Sequence, residues 1–181
     1  KGQAATTAGA WATGNNMNDS RTSIGGAGVQ TSALGFGGYG DSQGVTESYN
    51  GTNWTEVNDL NNARVYAAGA GVSNTSALAI GGYATTPRAY TESWNGTNWT
   101  EVNDLNTARF DLSATGTQTS AIAAGGATPP SPRPTNSEIW NGTNWTNTGT
   151  INSGRSGLTA AGADSTSALI FGGTDGTASG Y

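Results

Sequence analysis

"ESYNGTNWTEVNDLNNAR" (residues 47–64) returns almost unchanged as "ESWNGTNWTEVNDLNTAR" (residues 92–109). At the centre of both is Asn-Gly, a pair that tolerates φ > 0 and predicts a tight hairpin turn. Working outward, Trp11, Trp54, Trp99 and Trp145 each stand ten residues before an arginine: Arg21, Arg64, Arg109 and Arg155. Tyr49, Trp94 and Trp140 each stand five residues before the next of these tryptophans. A Gly-Gly pair, beginning at Gly37, Gly81, Gly125 or Gly172, follows each arginine by 16 or 17 residues. The arginines are 43, 45 and 46 residues apart. Four units result, and a period in this range signals a propeller or a solenoid.

Each unit reads as four short strands, here positions a to d. Position a follows the arginine ("SIGGAGV", "VYAAGAGV"), and position b runs into the Gly-Gly ("SALGFGG", "SALAIGG", "SAIAAGG", "SALIFGG"). Position c carries Glu-x-aromatic ("VTESY", "YTESW", "NSEIW"), and position d begins at the Trp ("WTEV"). A helical 3.6-residue period is nowhere sustained. Gly and Ala dominate a and b, as expected where inner strands crowd an axis. Leu34, Leu78, Ile122 and Leu169, with the aromatics of c and d, supply the packing between units.

With the Gly-Gly after b, the Glu-x-Tyr/Trp on c, the Trp five residues on and the closing Arg, the chain resembles the kelch family of β-propellers over essentially its whole length. The resemblance implies an all-β fold, one domain over residues 1–181, with units at about 21–63, 64–108, 109–154 and 155–181 plus 1–20. The short unit and the "NGTNWT" hairpin are similar to kelch-type repeats in structural and tail-fibre proteins of marine bacteriophages. A d strand at Trp11 opens the sequence, and "ASGY" stands where a fourth c strand belongs, with Tyr181 at the Tyr49 position. The expectation is therefore a propeller of four four-stranded blades, the last closed by the N-terminal strand, which removes the open edge. The rival is that this strand completes a blade of a neighbouring molecule.

Strands alternate in direction, so the d–a and b–c loops share one face and the a–b and c–d turns the other. The second face is monotonous, with "TSA" in each a–b turn and "NGTN" in the c–d turns. The first varies, and all five prolines (Pro87, Pro129, Pro130, Pro132 and Pro134) fall in its b–c loops. Arg88 and Arg133, the arginines outside the repeated position, lie there too. Loops on a rigid scaffold are where binding usually sits, which makes Tyr39, Tyr83, Arg88, Tyr90 and Arg133 the candidate partner-binding residues.

Arg21, Arg64, Arg109 and Arg155, with Glu47, Glu92 and Glu138, recur once per unit, as structural joints do and a catalytic site does not. They are expected to form charge-assisted hydrogen bonds that tie position c to neighbouring loops. Glu56, Asp59, Glu101 and Asp104 sit in or beside two d–a loops, and the third unit replaces them with "WTNTGTINSGR". Turn chemistry explains them better than a glycosidase pair or a Ca²⁺ site. Of eight Asn-x-Ser/Thr sequons, Asn50, Asn95 and Asn141 are the candidate glycosylation acceptors, because Asn53, Asn98 and Asn144 abut the Trp.

With no His and no Cys, there is no disulfide, no imidazole or thiolate metal site and no Ser-His nucleophile. No catalytic, cofactor or metal residue is expected. A net charge of −5 and the lack of a basic stripe argue against nucleic acid. No apolar run is long enough to span a membrane as a helix. Charged residues are only 10% of the chain, against about 25% in ordinary soluble domains, which suits an exposed structural protein. The leading expectation is a non-enzymatic building block or display module of an extracellular, cell-surface or virion assembly, self-associating as a homo-oligomer or filament. The alternative is a glycan-binding adhesion module that reads cell-surface sugars with the b–c face.

Overall fold

The structure, a computed structural model, describes residues 14–130 and 133–176. The tight turns come where the sequence places them but are built differently. Asn50, Asn95 and Asn141 each accept backbone N–H bonds on Oδ1 from the residues two and three further on, at 2.8–2.9 Å. The glycines that follow take φ of 92–94°, while the asparagines keep an ordinary φ. The loop is four residues, Asn-Gly-Thr-Asn, because the side chain and not the Asn backbone makes the turn.

Among the described residues, fourteen strands form four antiparallel sheets. The first holds β1 (Gly25–Val29), β2 (Ser32–Phe36), β3 (Thr46–Tyr49) and β4 (Trp54–Val57). The second holds β5 (Ala68–Ser73), β6 (Ser76–Ile80), β7 (Thr91–Trp94) and β8 (Trp99–Val102). The third holds β9 (Ser113–Gly116), β10 (Ala121–Ala124), β11 (Asn136–Trp140) and β12 (Trp145–Thr150). In each, neighbours in sequence are neighbours in the sheet. The fourth sheet is the pair β13 (Ser156–Asp164) and β14 (Ser167–Thr174).

The first strands pack on one another in series: β1 on β5, β5 on β9, β9 on β13. They line a channel of about 390 Å³ whose walls include Gly26, Gly69, Ala114 and Ala160. Small residues are required there, since a Cβ on Gly69 would lie 2.0 Å from the Gly26 carbonyl oxygen. The core lies between sheets and not within one. Leu34 and Phe36 of β2 pack with Trp94 and Trp99 of the second sheet, and Leu78 and Ile80 of β6 pack with Trp140 and Trp145 of the third. Each junction is pinned by an indole. Trp99 Nε1 donates to Thr46 Oγ1 and Trp145 Nε1 to Thr91 Oγ1, both at 3.0 Å.

The Gly-Gly pairs are explained by the same junctions. Gly38, Gly82 and Gly126 donate their N–H to the carbonyls of Arg64, Arg109 and Arg155 in the next unit, at 2.9–3.1 Å. A Cβ on Gly37, Gly81 or Gly125 would stand 2.5–2.6 Å from those same carbonyl oxygens. Gly172, the fourth of the series, has no atom of the described residues within 4 Å of that position.

The fourth sheet differs in a second way. Leu34, Phe36, Leu78 and Ile80 are at most 1% exposed, whereas their counterparts Leu169 and Phe171 are 64% and 48% exposed. No next unit covers them among the described residues. The expected closing strand at Trp11 and the expected c strand at Tyr181 lie outside the described residues.

Candidate functional site

In the first three units the repeated arginine and the repeated glutamate of the third strand are partners. Arg21 bonds Glu47, Arg64 bonds Glu92 and Arg109 bonds Glu138, with both side chains of each pair fully buried. The guanidinium also holds backbone carbonyls of its own sheet: Gly37 and Val45 for Arg21, Gly81 and Ala79 for Arg64, Asn136 for Arg109. The sequence reading missed the third member of the joint, an asparagine three residues before each arginine. Asn18, Asn61 and Asn106 each donate a backbone N–H and Nδ2 to the carboxylate at 2.7–2.9 Å. The next residue, Asp19, Asn62 or Thr107, adds its N–H at 3.2–3.3 Å. The same Asn Nδ2 reaches the carbonyl of Trp54, Trp99 or Trp145. One carboxylate thus takes three N–H donors and a guanidinium, which satisfies a charge that burial alone would make costly.

The titration behaviour follows. Burial pushes the Glu47 carboxyl up, but the N–H groups of Asn18 and Asp19, with the Asn18 and Arg21 side chains, outweigh it and hold the group below its ordinary value. Burial lowers the Arg109 guanidinium, and Glu138 opposes that shift. Asp104, among the d–a carboxylates, is raised by burial and by Glu101, against a backbone bond from Thr91 at 3.2 Å. Glu101 itself accepts from Asn62 Nδ2. Among the described residues no group of three or more acidic side chains is arranged to hold a metal ion.

A second repeated device sits two residues after each arginine. Ser23, Tyr66 and Asp111 take φ of 55–58°, and Gly157 takes 66°. A left-handed conformation costs a non-glycine residue roughly 1–2 kcal/mol, and here a chain of bonds between units holds it. Tyr66 N–H donates to Ser23 O, Asp111 N–H to Tyr66 O and Gly157 N–H to Asp111 O, at 2.9–3.1 Å.

On the variable face, Tyr39 is 45% exposed and meets Tyr66 edge-on at 5.8 Å. Tyr66 meets Phe110 at 5.9 Å, and Phe110 meets Tyr83 at 5.0 Å. Tyr39 and Tyr83 therefore belong to one aromatic row, and Tyr66 and Phe110 are members that the sequence reading missed. Arg88 lies over the Tyr90 ring at 5.5 Å and bonds Thr85 Oγ1, apart from that row. Arg133 bonds Ser156 Oγ and the Asp175 carbonyl near the fourth sheet and lines a cavity that also meets Phe110 of the aromatic row. Asn50, Asn95 and Asn141 are exposed at the c–d turns.

The fourth copy of the joint is different. Asn152, Ser153 and Arg155 stand in the places of Asn61, Asn62 and Arg64. Arg155 makes one described side-chain bond, to the Gly172 carbonyl at 3.1 Å, and no carboxylate reaches it among the described residues. Asn152, Ser153 and Arg155 instead line a cavity of about 540 Å³ that also meets Ile122, Ser137 and Leu169. No helix among the described residues is long and apolar enough to cross a membrane. Compared with protein-family models and with curated proteins, the chain matches none.

Proposed function

We propose that the four sheets are units of a kelch-type propeller and that the protein is a non-enzymatic building block or display module of an extracellular, cell-surface or virion assembly, as in the phage-like repeats it resembles. The observation that carries this reading is the uncovered face of β14. In the first two units the Leu34–Phe36 and Leu78–Ile80 faces are sealed by the tryptophans of the next unit. Leu169 and Phe171 present the same kind of face, 64% and 48% exposed, with no next unit on it among the described residues. The complementary surface is the front of the first sheet, where Trp54 is only half-buried while Trp99 and Trp145 are buried. Front on back is a heterologous contact, and such contacts propagate into a filament or close into a ring. The low surface charge weakens the repulsion that opposes association. Arg21, Arg64 and Arg109 are paired with Glu47, Glu92 and Glu138 in repeated joints, which supports a scaffold over an enzyme.

Sedimentation velocity and electron microscopy at micromolar concentration test the proposal. Assemblies larger than one chain are expected. A uniform particle of 18.1 kDa would refute self-association and favour a four-bladed ring closed within one chain by residues 1–13. The row from Tyr39 to Tyr83 favours a second reading, a glycan-binding surface, since exposed aromatic rings stack on sugars. A glycan array separates the two, and binding that is lost in Tyr39→Ala would put the adhesion reading first.

A further inference from the structure

We propose that the cavity beside β14 is a binding site for an extended segment from outside these 181 residues, one carrying glutamate with an aromatic residue two positions on and a tryptophan five further. The three completed joints are the template. In each, a Glu-x-aromatic strand pairs with the second strand of the sheet: β3 with β2, β7 with β6, β11 with β10. Among the described residues β14 pairs with β13 alone, so its outer edge offers the same row of backbone groups.

The side-chain seats recur at the matching positions, and Ile122, Ser137, Asn152, Ser153 and Arg155 line the cavity. The Asn152 backbone N–H and amide, the Ser153 N–H and the Arg155 guanidinium repeat the donor set that grips Glu92 through Asn61, Asn62 and Arg64. The aromatics of β7 and β11, Trp94 and Trp140, pack on the preceding unit and donate the indole N–H to the a–b turn. Trp94 does so to Asn74 O and Trp140 to Gln118 O, both at 2.9 Å. The matching wall here is Ile122, and the matching carbonyl belongs to Ser165. The second tryptophan of the second and third templates, Trp99 or Trp145, donates to a hydroxyl one residue before the preceding unit's glutamate, Thr46 or Thr91. Ser137 holds that place in the third unit and lines the cavity.

This chain has no glutamate left to fill the seat. Its five are Glu47, Glu56, Glu92, Glu101 and Glu138, and all lie in β3, β4, β7, β8 and β11. Residues 1–13 and 177–181 contain no acidic side chain. The carboxylate must therefore come from outside these 181 residues, and a second folded copy has already used its own. The site lies beside β14's edge and shares Leu169, but not Phe171, with the face invoked for self-association. It rests on the repeat reading only in taking the first three sheets as its template.

A labelled peptide with this chain's own residues 91–102, TESWNGTNWTEV, is the probe, titrated against the full 181-residue protein by fluorescence anisotropy. Saturable binding is expected. The same peptide with Glu92→Gln is expected to bind at least about tenfold more weakly, because it loses a charge-assisted contact with three N–H donors and a guanidinium. Arg155→Ala protein is expected to show a similar loss, with circular dichroism to establish that it is folded. Arg155→Lys, which keeps the charge but not the planar fork, is expected to fall between. Equal binding of the Glu and Gln peptides would overturn the proposal. So would the absence of binding to the full chain; if binding then appeared on deleting residues 1–13, the chain's own N-terminal segment would be the occupant. Binding of the peptide by a protein that stays at 18.1 kDa would uphold this site while refuting self-association.

Discussion

Arg109→Ala and Arg155→Ala change the same position of the repeat, and they are expected to have very different effects. Arg109 is fully buried with Glu138 and also bonds the Asn136 carbonyl at 2.8 Å. Removing one partner of a buried pair costs about 3–5 kcal/mol. Glu138 keeps the Asn106 N–H at 2.7 Å, the Asn106 amide at 2.8 Å and the Thr107 N–H at 3.3 Å, so its charge is not abandoned. The expected loss is therefore at the low end, about 3 kcal/mol. For a domain of this size that lowers Tm by roughly 6–12 °C. Arg155 makes one bond to a carbonyl, at an exposed site, and Arg155→Ala is expected to cost less than about 1 kcal/mol. Urea unfolding followed by tryptophan fluorescence reads both, since Trp140 and Trp145 are buried beside the third joint. If Arg109→Ala lay within about 1 kcal/mol of the parent, or if the two variants were equally destabilised, the scaffold role of the joint would be refuted.

Three further outcomes are expected. The folded state holds the Glu47 carboxyl below its ordinary value, so its stabilisation is present above the unfolded value and is lost as pH falls through the folded one; Glu47→Gln should lower Tm at neutral pH, and the deficit should vanish at acid pH, whereas a deficit independent of pH would deny the linkage. Gly81→Ala puts a Cβ 2.6 Å from the Arg109 carbonyl oxygen and should destabilise by about 3 kcal/mol or more, while Gly172→Ala meets no atom of the described residues within 4 Å and should cost only the roughly 1–2 kcal/mol of its left-handed backbone; equal costs in denaturant melts would show that Gly172 is covered. Thr46→Val removes the acceptor for the Trp99 indole and should cost about 1–3 kcal/mol, measured by the same unfolding; no change would mean that this bond does not hold the first junction.

The strand order was legible because each boundary carries its own physical mark. Asn-Gly opens a turn, Gly-Gly gives two positive-φ residues, and Gly and Ala in positions a and b fit strands that crowd an axis. The arginine and glutamate pattern was legible as spacing. Their common partner was not: Asn18, Asn61, Asn106 and Asn152 recur at a fixed offset, but in a sequence this rich in Asn the offset does not stand out. The left-handed residue two positions after the arginine was hidden for a different reason. Ser23, Tyr66, Asp111 and Gly157 share a backbone conformation and no side-chain chemistry. The aromatic row was half legible, since Tyr66 and Phe110 look like strand residues until the loop folds them beside Tyr39 and Tyr83. The difference of the fourth unit was invisible in "SALIFGG", which spells a buried strand; exposure depends on what packs against it, and no single segment encodes that.

Amide hydrogen exchange, resolved strand by strand and repeated with and without the residue 91–102 peptide, tests the central claim most directly. The claim is that the fourth unit is where this protein joins something else. β2, β6 and β10, each bonded on both sides, should exchange slowly throughout. β14 should exchange fast in the dilute chain and slow by an order of magnitude or more when the peptide is bound. A β14 that is as protected as β10 in the isolated monomer, and unchanged by peptide, would contradict the account.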